Sequence, residues 1–443
     1  MRSSPLPEEK AESMVHEISQ RSHPVGAVKD LGPLIERLSQ SNIVMLGEAS
    51  HGTHEFYEWR RLISEWLVVK HGFKAIAVEG DWPACRQVDD YVQNSPTNTR
   101  DSARQVLESF RRWPTWMWSN TEVVRLAEWM KSHNRSVGGE DLKVGFYGLD
   151  VYSMFESIHE VIHGLKKINP FLARRFQNYY SCFDRYQANE KAYVRSLLEV
   201  QGCEEAVKRV LHDLIAARKQ SRWNHRDALD LEQNALVVKN AESYYRAMIH
   251  ADDFSWNVRD QHMLETLETL IAQKSKVIVW AHNTHIGDHR ATDMHEAGMV
   301  NLGGLAREKW GHDQVALVGF GTHQGTVIAS RAWDGPIQKM QVPPSTAGSY
   351  DSLFHEAAVR MKTPCLYSLL GKTAQSGILA ERHGQRAIGV VYDPAHERYG
   401  NYVPTSLAHR YDAFFFIDET RALQPLIQEF DHSELPETWP QGQ

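Results

Sequence analysis

Short apolar runs rich in β-branched residues alternate along the chain with longer stretches in which apolar positions recur every three or four residues. Turn residues bound most of the short runs, so the pattern predicts strands that alternate with helices. Some runs, such as Ile-Val-Met-Leu at 43–46, are apolar throughout, as expected for strands covered on both faces. The predicted strands are 42–47, 74–79, 143–149, 276–281, 314–320, 387–392 and 413–417. The alternation predicts an α/β fold with a central, largely parallel sheet and flanking helices.

The segment between the third and fourth predicted strands differs from the rest of the chain. Residues 152–273 are almost free of strand pattern and rich in Leu, Ala, Glu, Lys and Arg at helical spacing. We therefore expect a large helical insertion at 152–273, within a discontinuous catalytic core formed by residues 41–151 and 274–430. Residues 1–40 are predicted to form a helical lead-in, and the polar residues 431–443 a flexible tail.

Polar residues gather directly after four predicted strands. These strands lead into carboxylates or histidines, namely Glu48 with His51, then Glu79, then Asp150, then His282 with His285. In open α/β sheets, ligands bind beyond the carboxyl ends of the strands, so we expect these side chains at one rim. A single acid such as Asp150 is also explained as a cap of the following helix, but paired histidines on two strands are not.

The first of these pairs suggests acid–base chemistry. A carboxylate next to a histidine fixes the imidazole tautomer, and the ring can then take a proton from water. The pattern predicts that Glu48 holds His51 as a general base.

An arginine falls on the apolar side of the predicted helix at 54–71. Phe56, Ile63 and Leu67 form one stripe, and Arg60 lies in it. A buried guanidinium needs an anionic partner, and Glu48 and Glu79 are the nearest candidates. The alternative is that Arg60 extends its charged end into water.

Three tryptophans, Trp113, Trp116 and Trp118, fall within six residues. Two interpretations are open: a satellite cluster of the core, or the wall of a site for a large, partly apolar ligand. In the second interpretation, Trp116 and Trp118, with Trp82 and Asp150 from the strand ends, are the candidate substrate contacts.

Composition narrows the classes of partner. The chain has 443 residues and a formal charge of −7, without a long run of one sign, so neither nucleic acid nor a membrane surface is an expected partner. No stretch approaches the ~18 apolar residues of a transmembrane helix, and the start of the chain lacks a secretion signal. We therefore expect a soluble, cytoplasmic protein.

The four cysteines are expected to be reduced thiols. Oligomeric state does not follow from these data.

Several common catalytic motifs are missing from the sequence. No G-x-S-x-G motif occurs, so ester hydrolysis here would use activated water instead of a serine nucleophile. No H-E-x-x-H motif occurs either. The spacings Glu48-x-x-His51 and His282-x-x-His285 are also found in metal sites, so a divalent metal stays an alternative, although no cofactor is predicted.

The sequence resembles the erythromycin esterase family in three motifs, GEASHG at 47–52, EGDW at 79–82 and WAHNTH at 280–285. Further agreeing segments extend this resemblance from about residue 42 to residue 426. They are PTWMW at 114–118, YGLD at 147–150, Arg259-Asp260 followed by Met263, and DETRAL at 418–423.

The resemblance implies hydrolysis of a macrolide lactone ester by directly activated water. It places the general base at His51, its glutamate at Glu48, the helix arginine at Arg60, and two further histidines at His282 and His285. We expect one of these two histidines to stabilise the oxyanion or to protonate the leaving alkoxide.

The predicted function is therefore hydrolysis of a small-molecule ester or lactone without a covalent intermediate. Arg60 would hold the carboxylates, Glu79 among them, in their ionised form. Two other classes are left open: a metal-dependent hydrolase or transferase acting on a different substrate, and a protein that binds a large apolar ligand without turnover.

Overall fold

The protein is described by a computed structural model that covers residues 6–199, 202–220, 223–250 and 252–427. The strands are β1 (Ser22–Pro24), β2 (Ile43–Leu46), β3 (Ala75–Asp81), β4 (Gly145–Asp150), β5 (Val277–Trp280), β6 (Val315–Ala329), β7 (Gln338–Val342), β8 (Cys365–Leu369), β9 (Arg382–Arg386), β10 (Tyr402–Ser406) and β11 (Ala413–Thr420).

The α-helices surround these strands on both sides. They are α1 (Glu8–Arg21), α2 (Gly32–Ser39), α3 (His54–His71), α4 (Trp82–Val92), α5 (Ala103–Leu107), α6 (Thr121–Ser136), α7 (Met154–Ile168), α8 (Pro170–Tyr180), α9 (Glu190–Ser196), α10 (Glu204–Gln220), α11 (His225–His250), α12 (Asp252–Lys274), α13 (Asn283–Ile286), α14 (Leu302–Trp310), α15 (Tyr350–Met361), α16 (Lys372–Gln375), α17 (Glu397–Gly400) and α18 (Leu407–Arg410).

One large sheet organises the molecule. Its strand order is β1-β8-β11-β6-β2-β5-β3-β4, with β7 paired to β6, while β9 and β10 form a separate pair. The strands from β11 to β4 in this order run parallel, and β1, β8 and β7 add antiparallel pairs. The predicted α/β fold with a largely parallel sheet and flanking helices is confirmed.

Both faces of the sheet are buried, which explains the fully apolar strands. In β2, Val44 and Leu46 belong to the core cluster on one face, and Ile43 and Met45 to the cluster on the other. Successive side chains of a strand point to opposite faces, so both sets must be apolar when helices cover both sides. Each such side chain contributes about 1.5–3 kcal/mol on burial.

One predicted strand is wrong. Residues 387–392 form only isolated bridges, Ile388 with Ser50 and Val391 with Ser330. The apolar pattern has another cause: Ile388 is buried and its N–H donates to the carbonyl of Ala49, in the loop after β2. Burial against loops gives the same apolar signal as burial in a sheet, so the run alone could not distinguish them.

The described segment between β4 and β5 consists of helices joined by turns and loops, without a strand. Helices α7 to α11 enclose a third apolar cluster of their own. Within it, Cys182 and Cys203 form a disulfide, which corrects the expectation that all four cysteines are reduced. Sequence spacing did not reveal this pair, because the helical fold brings the two residues together.

The proposed boundaries of the core, the insertion and the helical lead-in stay predictions. The predicted tail, 431–443, lies outside the described residues. Within the described ranges, no helix has the length and apolar character needed to cross a membrane.

Candidate active site

The predicted acid–base residues meet at one edge of the sheet. Strands β2, β5, β3 and β4 are neighbours and parallel, so the segments that follow them share one edge. Glu48 and His51 follow β2, Glu79 lies in β3, and His282 and His285 belong to the turn and short helix after β5. All five residues are buried. The sequence therefore predicted correctly which residues come together.

Two glycines let the loop after β2 fit into this edge. A Cβ on Gly52 would lie 1.9 Å from the carbonyl oxygen of Ile328, and one on Gly47 would lie 2.1 Å from Oδ1 of Asn283. That Asn283 oxygen also accepts the backbone N–H of Phe320 at 3.1 Å. Side chains at either glycine would displace β6 or α13 and would therefore move the histidines.

A carboxylate that is itself ion-paired holds His51. Its Nδ1 lies 3.0 Å from Oε1 of Glu48, and Oε2 of Glu48 accepts a hydrogen bond from Nη2 of Arg60 at 2.7 Å. The Arg60 guanidinium carbon lies 4.4 Å and 4.8 Å from the ring centres of Tyr57 and Trp280. Arg60 is fully buried, so its expected inward orientation is confirmed. Because Nδ1–H donates to Glu48, the lone pair on Nε2 of His51 can accept a proton.

His282 presents a hydrogen-bond donor beside His51. The ring centres lie 4.8 Å apart. The backbone N–H of Thr284 donates to Nδ1 of His282, so the neutral ring carries its proton on Nε2. This Nε2 is buried and has no hydrogen-bond partner among the described residues. Burial, together with the nearby His51, holds the pKa of His282 well below its ordinary value.

Glu79 connects the ends of β3 and β5. Its Oε2 accepts the backbone N–H of His282 at 2.9 Å, and its Oε1 accepts Nη2 of Arg259 at 2.8 Å. Burial acts to raise the pKa of Glu79, but the neighbouring histidines and Arg259 outweigh it and hold that pKa well below the usual range. The carboxylate therefore stays ionised and fixes the backbone where His282 begins the turn.

His285 is held from behind by a second carboxylate. Its Nδ1 lies 2.9 Å from Oδ2 of Asp260, and its ring stacks on Trp256 with centres 4.5 Å apart. Its Nε2 lies 3.1 Å from Nη1 of Arg259 and 3.4 Å from Oε1 of Glu79, so it faces both a donor and an acceptor. Burial lowers the pKa of His285, but Asp260 and Glu79 outweigh it and raise the pKa to about 9. The charged form, with Nε2–H directed to Glu79, is therefore favoured.

The tryptophans of the 113–118 segment lie in the core. Trp116 and Trp118 are at most 2% exposed and belong to the same apolar cluster as β2 and α3. The indole N–H of Trp118 donates to the carbonyl of Glu79 at 2.8 Å. This placement favours the core alternative, in which Trp118 supports the strand that carries Glu79, and the substrate contacts of Trp116 and Trp118 stay predictions.

The other two predicted substrate contacts have partners within the protein. Asp150 directs both carboxylate oxygens at Arg259, at 3.0 and 2.6 Å. Trp82 donates its indole N–H to Asp230 at 2.9 Å and lines a cavity of about 400 Å³ whose walls contain no histidine of the acid–base cluster. Both side chains are therefore engaged within the protein, and their contact with a substrate stays a prediction.

Sequence reasoning did not assign roles to Arg259 and Asp260. Both are buried on α12, next to the apolar positions Met263, Leu267 and Leu270. Charged residues on the buried side of a helix need partners, and this was the signal that could have identified them.

A further observation concerns the alternative that these histidines and carboxylates hold a divalent metal. Within the described ranges, no group of three or more His, Cys, Asp or Glu side chains is arranged to hold a metal ion. The Nδ1 atoms of His51 and His285 each face a carboxylate, and Nδ1 of His282 accepts an N–H. Nε2 of His51 and Nε2 of His282 are directed away from such partners, whereas Nε2 of His285 faces Arg259 and Glu79.

The fold and the site together define an α/β protein with an acid–base cluster at the carboxyl edge of its sheet. The sequence pattern described as Erythromycin esterase matches residues 68–420, and the chain therefore belongs to the erythromycin esterase family. The matched range begins after the GEASHG motif, so the placement of Glu48 and His51 depends on the structure and not on this match.

Comparisons with individual proteins agree with that assignment. The chain is 22% identical over 367 residues to the "Putative hydrolase YbfO" of Bacillus subtilis (strain 168), a match that covers 77% of this chain and 79% of that protein. Family and relative point to a hydrolase.

Solved structures share the fold. A succinoglycan biosynthesis protein superimposes with a TM-score of 0.75 at 18% identity, covering 95% of this chain and all of the other. A mutant of erythromycin esterase EreC in its open conformation superimposes with a TM-score of 0.64 at 15% identity, covering 94% of this chain and 99% of that one.

Proposed function

We propose that this protein hydrolyses a carboxylic ester or macrolactone with a water molecule activated by His51. The observation that carries the proposal is the pairing of two neighbouring histidines with opposite hydrogen-bonding roles. Glu48 leaves Nε2 of His51 as an acceptor, whereas Thr284 leaves Nε2 of His282 as a donor. A hydrolase needs both roles at one carbonyl group.

The reaction begins when Nε2 of His51 takes a proton from water. The water oxygen forms a bond to the carbonyl carbon, and the carbonyl oxygen becomes an oxyanion. Nε2–H of His282 donates a hydrogen bond to that oxyanion, and its lowered pKa keeps the ring neutral without withdrawing this donor. The histidinium at His51 is stabilised by Glu48 at 3.0 Å.

The second step breaks the bond between the carbonyl carbon and the alcohol oxygen. The proton on His51 passes to the leaving alkoxide, which restores the neutral base. The products are a carboxylic acid and an alcohol, or one hydroxy acid from a lactone. No covalent enzyme intermediate is needed, and the sequence has no nucleophile elbow that would form one.

The remaining charged residues position the two histidines. Arg60 directs Glu48 toward His51, and Glu79 holds the backbone N–H of His282. The positive charge of His285 lies between Glu79 and Asp260 and offsets part of their buried negative charge. We assign them no contact with the reacting atoms.

Macrolides are the proposed substrate class. Support comes from the family and from the fold shared with erythromycin esterase EreC.

The test is incubation of the purified protein with erythromycin, followed by mass spectrometry. We expect the drug to gain the mass of one water with wild-type protein and with His289→Ala, and no gain with His51→Ala. His289 is an equally buried histidine that contacts Asn301 instead of the acid–base cluster, so it controls for the loss of a buried imidazole.

Three outcomes would change the proposal. Turnover by His51→Ala at the wild-type rate would reject the assigned base. Loss of activity on chelation, restored by a divalent metal, would favour the metal-dependent alternative. Hydrolysis of other esters or lactones without erythromycin turnover would keep the chemistry and reject the macrolide.

A further inference from the structure

The cavity that Trp82 lines is separate from the acid–base cluster. It has a volume of about 400 Å³ and lies beside the edge strand β4, between helix α4, the start of α11 and the end of α12. Lys143 and Lys274 of its wall precede β4 and β5, whereas His51 and His282 follow β2 and β5. Because these strands are parallel, the cavity reaches the edge of the sheet opposite to the acid–base cluster.

Three of the four Lys and Arg side chains in the cavity wall are ion-paired within the protein. The pairs are Arg86 with Asp90, Lys143 with Glu140 and Arg226 with Asp89. Lys274 is the fourth, and it forms no ion pair with a carboxylate in the described ranges, Asp141 of the wall included. Its ammonium group is therefore available to an anion that enters the cavity.

The surroundings of Lys274 do not compensate its charge. The side chain is half-buried, and Nζ lies 5.8 Å from the ring centre of Tyr147. This distance is near the outer limit of ~6 Å for a cation–π contact, which is a weak substitute for a counter-ion. Burial lowers the pKa of Lys274, and Arg226 adds to this effect while Asp89 opposes it. A bound anion would offset the cost of burying this charge.

A second donor lies in the same cavity wall. Tyr147 is 8% exposed, and its ring stacks on Trp82 with ring centres 5.8 Å apart. Its hydroxyl forms no hydrogen bond with any residue that the structure describes. A tyrosine hydroxyl this deeply buried normally has a partner. Because Tyr147 lines the cavity, this hydroxyl can donate to a ligand there.

These two donors fit a carboxylate. One carboxylate oxygen accepts from the ammonium group and the other from the hydroxyl. Lys274 supplies a single positive charge, and Asp89 and Asp141 lie near it, so a singly charged anion is favoured over a dianionic phosphate. Phe146 and Leu229 also line the cavity, which suits an acid with an apolar body.

We propose that this cavity binds a small organic carboxylate, with Lys274 and Tyr147 as its donors. The ligand is a carboxylic acid with an apolar body in its ionised form. This site does not depend on the proposed hydrolysis, since neither donor belongs to the acid–base cluster and binding needs no turnover.

The experiment compares two probes of the same shape. Benzoate carries a carboxylate, and benzamide is its uncharged analogue. In titrations followed by saturation-transfer NMR at a pH of about 7, where benzoate is ionised, we expect benzoate to bind with a Kd on the order of 1 mM and benzamide about tenfold more weakly. Equal affinity for the two probes, or no saturable binding of benzoate, would overturn the proposal.

Variants assign the binding to the two donors. Lys274→Met and Tyr147→Phe should each weaken benzoate binding by about tenfold. Lys276→Met should leave it unchanged, because Lys276 is likewise half-buried but donates to the carbonyl of Ser39 at 3.1 Å and lies outside the cavity wall. Unchanged benzoate binding by either folded donor variant, or equal weakening by Lys276→Met, would reject the site.

Two further measurements test the location and the class of ligand. Benzoate should slow the reductive methylation of Lys274, measured by peptide mass spectrometry, and leave that of Lys276 unchanged. Equal protection of both lysines would show general screening of charge and reject the site. Acetate should displace benzoate at lower concentration than inorganic phosphate does, and the reverse order would reject a carboxylate as the favoured ligand.

Discussion

Replacing Glu48 by glutamine tests the proposed role of His51 most directly. Glu48 accepts one hydrogen bond from His51 and one from Arg60, at 3.0 and 2.7 Å. A glutamine has the same shape but only one acceptor oxygen, and its amide nitrogen is a donor. Its oxygen would pair with the charged Arg60, so the amide would donate to Nδ1 of His51.

This arrangement reverses the tautomer of His51. The ring proton moves to Nε2, which can then no longer take a proton from water. Loss of a correctly oriented general base costs about 10²–10⁴-fold in rate, which corresponds to about 3–5 kcal/mol of transition-state stabilisation. We therefore expect kcat of Glu48→Gln to fall by this factor, with a smaller change in KM, in steady-state assays of ester hydrolysis.

A second substitution should restore the tautomer. In Glu48→Gln/Arg60→Met, no cation competes for the amide oxygen, so this oxygen can accept Nδ1–H of His51. We expect the double variant to recover about tenfold or more of the activity lost in the single variant, and ¹⁵N NMR of the His51 ring to show the return of the Nδ1–H form.

Either of two results would refute the proposed role of Glu48. One is wild-type kcat in Glu48→Gln. The other is a double variant that folds, shows the Nδ1–H form and is no more active than the single variant. Arg60→Met alone is the control, because it keeps the contact between Glu48 and His51.

Three further predictions concern the surroundings of the site. In Asp260→Asn, the pKa of His285 should fall from about 9 in NMR titrations, although Glu79 still raises it. Since the folded pKa of the wild type lies above the unfolded value of about 6.5, the stability that Asp260 adds through this shift, at most about 3 kcal/mol, should be complete below pH 6.5 and disappear as the pH rises through 9 in urea unfolding. Serine at both Cys182 and Cys203 should lower the free energy of unfolding by about 3 kcal/mol, measured by urea denaturation; no change would mean that the disulfide adds no stability. Trp116→Ala should cost about 3–5 kcal/mol of stability with unchanged KM in the fraction that stays folded. A raised KM at normal stability would instead support the ligand-wall interpretation.

The local pattern of apolar residues was sufficient to predict the helix and the strand that position the site. The helix predicted at 54–71 is α3 (His54–His71), and the apolar run at 43–46 is β2. Both signals are periodic over their whole length, which is the kind of information that neighbouring residues carry. Chain order then brought Glu48, Glu79 and His282 together, since parallel strands end at one edge.

Prediction from the sequence failed where a feature depends on contacts between residues that are far apart in the chain. The run at 387–392 and the three tryptophans are apolar for a reason that sequence cannot specify, because burial against a loop, a sheet or a ligand gives the same pattern. The disulfide between Cys182 and Cys203 was equally hidden, as it depends on how the helices of the insertion pack.

The sequence by itself determined the α/β class, the helical segment after β4 and which histidines and carboxylates gather at the ends of the strands. Only the tertiary structure decided which partner each of these residues has: Arg60 with Glu48, Thr284 with His282, and Asp260 with His285. The physical reason is that secondary structure follows from contacts within a few residues, whereas the tautomer and charge of a buried histidine depend on atoms brought within about 3 Å by chain segments far apart in sequence.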